Sequence, residues 1–205
     1  MIGIVDMEMG NLRSVSNAVH GLGYDFLIVK EPSTLTQVSH LIIPGVGSYA
    51  KAIKTLTSQG LLEPIRDFVA QGKPLMGICL GMQLLSTTGD EGGSSEGLGL
   101  IPGAVSKIPA KQNYPVPHIG WNGLDVRRSH PILKGLKPEV DFYFIHSYQF
   151  MTDDLSHSVA MTDYGIPLAA IVGKDNVVGC QFHPEKSQAN GLKLLENFCD
   201  WDGRC

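Results

Sequence analysis

Short unbroken apolar runs alternate with stretches whose apolar residues recur every three or four positions. Ile2 to Asp6 reads as a buried strand, and Asn11 to Leu22 as a helix with Leu12, Val15, Val19 and Leu22 on one stripe. Asp25 to Val29 and Leu41 to Pro44 are the next strands. Ser48 caps the start of a second helix, and Leu61 to Ala70 forms a third, ended by Gly72. Pro74 to Ile78 is a strand that runs into Cys79, with a helix beginning over Met82 to Ser86. Strands that are apolar throughout, separated by helices, predict a mostly parallel central sheet flanked by helices on both faces.

The second half changes character. From Leu98 to about Gln149 the strands are short and closely spaced, with few helical patterns. Asp141 to Ile145, Pro167 to Val172 and Asn176 to Phe182 read as strands. A final helix covers roughly Gly191 to Trp201, with Leu192, Leu195 and Phe198 apolar. Asp90 to Gly97, rich in Gly, Ser and Glu, is expected as a surface loop. Neither an internal repeat nor a long linker interrupts the chain. The expectation is one α/β domain over residues 1–205 with a β-rich second half.

Composition narrows the function. The chain has 205 residues, 43% of them hydrophobic, and a net charge of −4, without the basic excess of a nucleic-acid binder. Mean hydropathy is +0.04, and the apolar runs fall far short of the ~20 residues that span a bilayer. The first residues carry no basic flank and no long apolar segment, so a signal peptide is not expected. Four cysteines, at 79, 180, 199 and 205, show no C-x-x-C spacing. A reducing cytoplasm is expected, with Cys199 and Cys205 as free thiols and Cys180 packed in the core.

Three motifs could carry chemistry. Gly77-Ile78-Cys79-Leu80-Gly81 has the form of a nucleophile elbow with cysteine in place of serine, between a strand and a helix. Such a turn lifts the sulfur out of the sheet, and the start of a helix beside it favours thiolate. The Leu80 N–H would then face a developing oxyanion. Taken alone, the same residues also suit a buried structural cysteine between turn glycines. His183-Pro184-Glu185 follows the strand of residues 176–182. Residues two apart in an extended segment share a side, so Glu185 can orient the His183 imidazole as a nucleophile's base requires. A solvated loop histidine is the other reading. Pro44-Gly45-Val46-Gly47-Ser48, directly after a strand, could offer backbone N–H groups or be an ordinary turn. It lacks the G-K-[ST] of a phosphate loop, and no G-x-G-x-x-G follows a strand, so no nucleotide cofactor and no metal are expected. Carboxyl ends of parallel strands gather at one edge of an open sheet, which would bring Cys79 and His183 together.

In this order, Pro44-Gly45-Val46-Gly47, Gly77-Ile78-Cys79-Leu80-Gly81-Met82-Gln83 and His183-Pro184-Glu185 resemble the class I, or triad, glutamine amidotransferases over nearly the whole chain. Finer features look most like one branch, the glutaminase subunits of imidazole glycerol phosphate synthase. These are Gly10-Asn11-Leu12-Arg13-Ser14, the PGVG form of the loop, His118-Ile119-Gly120-Trp121-Asn122, residues 142–148 (FYFIHSY), and Lys186. The resemblance implies the family's single-domain fold and the hydrolysis of L-glutamine through a γ-glutamyl thioester on Cys79. His183 would be the proton carrier and Glu185 its support. Gly47, Leu80 and Val46 would form the oxyanion site. Gln83, Glu91, Ser147 and Tyr148 would hold the amino-acid end of the substrate. Ammonia would pass to a separate cyclase subunit, a (β/α)₈ barrel of histidine biosynthesis, docked through Asn11, Ser14, Trp121, Tyr143 and Lys186. Other triad amidotransferase subunits, a stand-alone γ-glutamyl hydrolase and a non-catalytic binding module are the competing readings. GNLRS and HIGWN count against the first, the lack of a signal segment against the second, and the intact Cys79, His183 and Glu185 against the third.

Overall fold

The apolar runs of the first half become neighbours in one sheet. In a computed structural model, which describes residues 1–137 and 140–205, β1 (Ile2–Val5) pairs in parallel with β2 (Phe26–Val29) and with β3 (His40–Gly45). β4 (Leu75–Cys79) lies parallel to β3, with Gly45 opposite Cys79. The helices between them are α1 (Leu12–Gly21), α2 (Tyr49–Ser58) and α3 (Leu62–Ala70). Alternate residues explain why these strands are apolar throughout. Ile4 and Ile42 face a core shared with Val15, Phe142, Leu194 and Phe198, whereas Val5 and Ile43 face one shared with Tyr49, Leu56, Ile65 and Phe68. Each such side chain contributes about 1.5–3 kcal/mol by leaving water.

The second half supplies ten short strands among the described residues. They are β5 (Thr88–Gly89), β6 (Ser95–Glu96), β7 (Gly103–Lys107), β8 (His118–Gly123), β9 (Asp125–Val126), β10 (Asp141–His146), β11 (Tyr148–Thr152), β12 (Ser158–Asp163), β13 (Pro167–Lys174) and β14 (Val177–Cys180). β14 inserts parallel to β4, and β13, β12 and β9 follow antiparallel, giving the order β2-β1-β3-β4-β14-β13-β12-β9. A four-stranded sheet (β11-β7-β5-β6) and the ribbon β10–β8 complete the architecture. The mostly parallel sheet and the β-rich second half expected from the pattern are both present. No helix among the described residues is long and apolar enough to cross a membrane.

Two helical expectations need correction. The helix after Cys79, expected over Met82–Ser86, is the single turn α4 (Leu80–Gln83). The carbonyls that would extend it are taken by another segment: Leu84 O accepts from Leu98 N, Leu85 O from Leu100 and Ile101 N, and Ser86 O from Gly99 N. The last helix, α5 (Gln188–Cys199), starts three residues before the expected Gly191. Its first turn is polar and therefore invisible to an apolar stripe.

This topology delivers three chain segments to one sheet edge. β3 ends at Gly45, β4 at Cys79, and β14 at Cys180, which pairs with Ile78. The turn at Cys79 tolerates no extra atom. A Cβ on Gly77 would run into the Gly81 carbonyl, and one on Gly81 would run into the Ile43 carbonyl. Because both obstacles are backbone, Gly81→Ala should destabilise the chain by about 3 kcal/mol, the upper end for overpacking. Urea unfolding monitored by circular dichroism measures this, and an unchanged midpoint would contradict the close approach.

Candidate active site

Cys79 closes β4 with φ 54° and ψ −108°, a left-handed conformation that costs a non-glycine residue energy and that the surrounding strands enforce. The bend turns the sulfur toward the sheet edge while the residue stays buried. Leu80, as the first residue of α4, has no carbonyl one turn back to receive its N–H. The sulfur accepts from Gln181 Nε2 at 3.7 Å, and as a thiol it donates to the Ile145 carbonyl at 3.9 Å.

His183 arrives from the neighbouring strand. Its N–H donates to the Tyr143 carbonyl at 2.9 Å, which fixes its backbone against β10. Its Nδ1 lies 2.8 Å from Glu185 Oε1, and both side chains are fully buried. Glu185 can only accept there, so Nδ1 carries the proton and Nε2 is the edge left for chemistry. Nε2 is buried and makes no hydrogen bond of its own. Burial alone would lower the proton affinity of the ring. The adjacent Cys79 sulfur and then the Glu185 carboxylate outweigh it and raise the imidazole to about 9. Asn11 Nδ2 stands 3.3 Å from the same Nδ1. Asn11, expected at the docking surface, is half-buried in a left-handed conformation at the start of α1, with its amide turned to the imidazole.

A cavity of about 450 Å³ opens above the sulfur. Val46, Gly47, Leu80, Gln83, Glu91, Ser147 and Tyr148 all line it together with Cys79, so every expected substrate and oxyanion residue reaches one space. Glu91 is anchored at its rim. Its Oε2 accepts from Tyr49 N, the first N–H of α2, at 3.0 Å. Burial raises its carboxyl above the ordinary range, against the lowering effect of that N–H. A carboxylate in a partly dry pocket is suited to an ammonium ligand. Gln83 is buried, with its Nε2 donating to the Tyr148 carbonyl at 3.2 Å and to Gln181 Oε1 at 3.1 Å.

The β10–β8 ribbon beside the site inverts the usual surface pattern. Its inward positions, His118, Phe142, Phe144 and His146, are buried. Its outward positions are apolar too: Ile119 is 55% exposed, Trp121 48% and Ile145 39%. Tyr143 pairs with Trp121 and Ile145 with Ile119, forming one stripe, with the Trp121 and Tyr143 rings edge-on at 6.0 Å. Trp121 is therefore not core packing. Ser14 and Lys186 are exposed as well.

Comparison with known proteins is consistent with this geometry. The family model for glutamine amidotransferase class-I matches residues 3–201. The chain belongs to the class-I glutamine amidotransferases. It is 47% identical over 201 residues to imidazole glycerol phosphate synthase subunit HisH of Desulfitobacterium hafniense, covering 98% of this chain and 94% of that protein. It is 46% identical over 198 residues to the protein of the same name from Caldanaerobacter subterraneus subsp. tengcongensis, covering 97% of each. Among solved structures, a glutamine amidotransferase superposes with a TM-score of 0.77 at 22% identity over 98% of both chains. PurLQS from Thermotoga maritima gives 0.77 at 20% identity over 97% of both. These structural likenesses establish the fold.

Several residues of this amidotransferase site escaped the motif reading. His146 ends β10 and Gln181 directly follows β14, and both look like ordinary core-edge polar residues until the fold turns them inward. Gln181 had one available signal: it stands two before His183 in an extended segment and so shares its side. The raised imidazole also has a consequence for stability. Its folded-state value lies above the ordinary 6.5, so protonation favours the folded chain. That contribution is complete below about 6.5 and is lost as pH rises through about 9. The unfolding free energy of wild type minus that of His183→Asn should therefore shrink between pH 6.5 and 9. A difference that stays flat or grows across this window would contradict the assignment.

Proposed function

We propose that this chain is the glutaminase subunit of an imidazole glycerol phosphate synthase, with Cys79 as nucleophile, His183 as proton carrier and Glu185 as the group that orients it. The observation that carries the reading is a strained cysteine that shares one cavity with the anchored carboxylate of Glu91 and is backed, beneath that cavity, by a buried His–Glu pair. The name shared by relatives at 46–47% identity over almost the full chain supports the specific branch.

In the proposed cycle, L-glutamine enters with its α-ammonium toward Glu91 and its α-carboxylate end toward Ser147, Tyr148 and Gln83. His183 Nε2 takes the Cys79 proton, and the sulfur adds to the side-chain amide carbon. The resulting oxyanion lies toward the Leu80 N–H and the Val46–Gly47 loop. Collapse breaks the C–N bond, His183 returns its proton to the departing nitrogen, and ammonia leaves a γ-glutamyl thioester on Cys79. His183 then deprotonates a water, which releases glutamate and restores the thiol. Glu185 compensates the imidazolium at both steps from 2.8 Å.

Ammonia in water at neutral pH is largely protonated and no longer nucleophilic, so the product needs a sheltered route. We assign the exposed apolar stripe of Ile119, Trp121, Tyr143 and Ile145, with Ser14 and Lys186 at its margins, to the cyclase subunit. Asn11 reaches the same region from the imidazole side. A large unpartnered apolar patch that touches the nucleophile through the Ile145 carbonyl suits a lid through which ammonia passes. The reaction belongs to histidine biosynthesis in the cytoplasm. Partner binding also has a lever on the PGVG loop. If the Val46 carbonyl rests toward the oxyanion position, the isolated chain turns over slowly and the loaded cyclase shifts the loop.

Two experiments test this reading. Cys79→Ala should abolish glutamine hydrolysis in the presence of the cyclase and its ligand, whereas wild type should accelerate tenfold or more when the loaded cyclase is added. Full-rate turnover by the isolated chain would sink the loop mechanism. Trp121→Ala should weaken association by about 2 kcal/mol, ~30-fold in Kd, with the fold intact. Unchanged affinity by titration calorimetry would remove Trp121 from the interface.

A further inference from the structure

The α4 helix is too short for its dipole to hold charge on the Cys79 sulfur, so stabilisation of a thiolate falls to the adjacent His183 imidazolium and to any hydrogen-bond donor that reaches the sulfur. Gln181 is the donor the fold provides. It is completely buried, its backbone is tied to the Ala170 carbonyl at 2.9 Å, and its Nε2 lies 3.7 Å from the sulfur. Phe182 alternates away into the stack with Phe142, ring centroids 4.1 Å apart. Gln181 and His183 are thereby both turned to the sulfur.

The orientation of the Gln181 amide follows from a chain of bonds that starts at a backbone carbonyl. Tyr148 O can only accept, and it accepts from Gln83 Nε2 at 3.2 Å and from His146 Nδ1 at 2.7 Å. This sets the direction of the Gln83 amide. Gln83 Nε2 also donates to Gln181 at 3.1 Å, so the Gln181 oxygen must face Gln83 and its N–H must face Cys79. His146 Nε2 in turn is an acceptor for His118 Nδ1 at 3.0 Å. Each member of the chain has only one consistent orientation, and the chain ends with a donor aimed at sulfur.

We infer that Gln181 is a further catalytic residue, an N–H donor that favours the Cys79 thiolate over the thiol, and that Gln83 and the Tyr148 carbonyl lock it in the donating orientation. The inference rests on Cys79 being the nucleophile. It gives Gln83 a second task beneath the cavity, besides lining it.

The test reads the thiolate directly, without glutamine. The titratable groups around the sulfur are His183, with Glu185 behind it, His146 and Cys180, and, across the cavity, Glu91 and Tyr148. Burial holds His146 down at about 4 and Cys180 well above its ordinary range, so neither titrates where the His183 ring does. The exposed Cys205 is removed as Cys205→Ser. The rate of Cys79 alkylation by iodoacetamide is then followed against pH by peptide mapping. Gln181→Met, similar in shape but without a donor, should move the midpoint up by about one pH unit. In the cyclase complex it should lower kcat for glutamine hydrolysis about tenfold with KM within about twofold. Should that variant fail to fold, Gln83→Met leaves Gln181 in place but releases its carbonyl, and should give a smaller shift of the same sign. An unmoved midpoint in the folded variant overturns the inference. Cys79→Ala separates the two failures: if it still hydrolyses glutamine, the triad reading itself falls. If hydrolysis needs Cys79 while the Gln181→Met profile stays in place, only the donor assignment falls.

Discussion

A sulfur at a strained bend, facing the imidazole of His183 just beyond the end of a distant strand, β14, is the interaction on which the rest of this molecule depends. The bend exists because β4 ends against β3 and turns at once into α4, with no room for a side chain at Gly77 or Gly81. The imidazole reaches it because β14 pairs parallel to β4 and ends at the same edge. Neither condition is local. Both follow from the order of strands in the sheet, and that order follows from burying apolar runs on two faces at once.

The charge arrangement is equally constrained. Two buried groups, Glu185 and the protonated ring of His183, offset one another's charge through the Nδ1–Oε1 contact at 2.8 Å, where either alone would carry a large desolvation cost. The nearby histidines His118 and His146 are held down at about 4, chiefly by burial, and stay neutral. Positive charge is therefore concentrated on the one ring that faces the sulfur. Around it, amides and backbone carbonyls rather than further charges define direction, which keeps the pocket's remaining charge, Glu91, for the substrate.

Much of this was legible in the sequence for identifiable reasons. The parallel half announced itself through continuous apolar strands, and Cys79, His183 and Glu185 through glycine spacing and the period-two rule. The extent of the helix after Cys79 was not legible, because its carbonyls are claimed by residues 98–101, a long-range competition that no local pattern records. Asn11 came to attention only through the resemblance, as a docking residue, and its left-handed backbone, which turns the amide toward the His183 imidazole, leaves no mark in the residue pattern. Gln181 and His146 stayed hidden because a buried polar residue looks ordinary until its partners are known. The outward apolar stripe of the β10–β8 ribbon needed the register that places Trp121 opposite Tyr143.

The coupling between sulfur and imidazole can be measured directly by nuclear magnetic resonance on chain carrying labelled histidine, with the His183 ring assigned by its loss in His183→Asn. In wild type the ring should titrate near 9. In Cys79→Ala its midpoint should fall, since the largest of the influences that raise it has been removed. A His183 ring that titrates at the ordinary histidine value in wild type, or that is indifferent to the loss of the sulfur, would contradict the account.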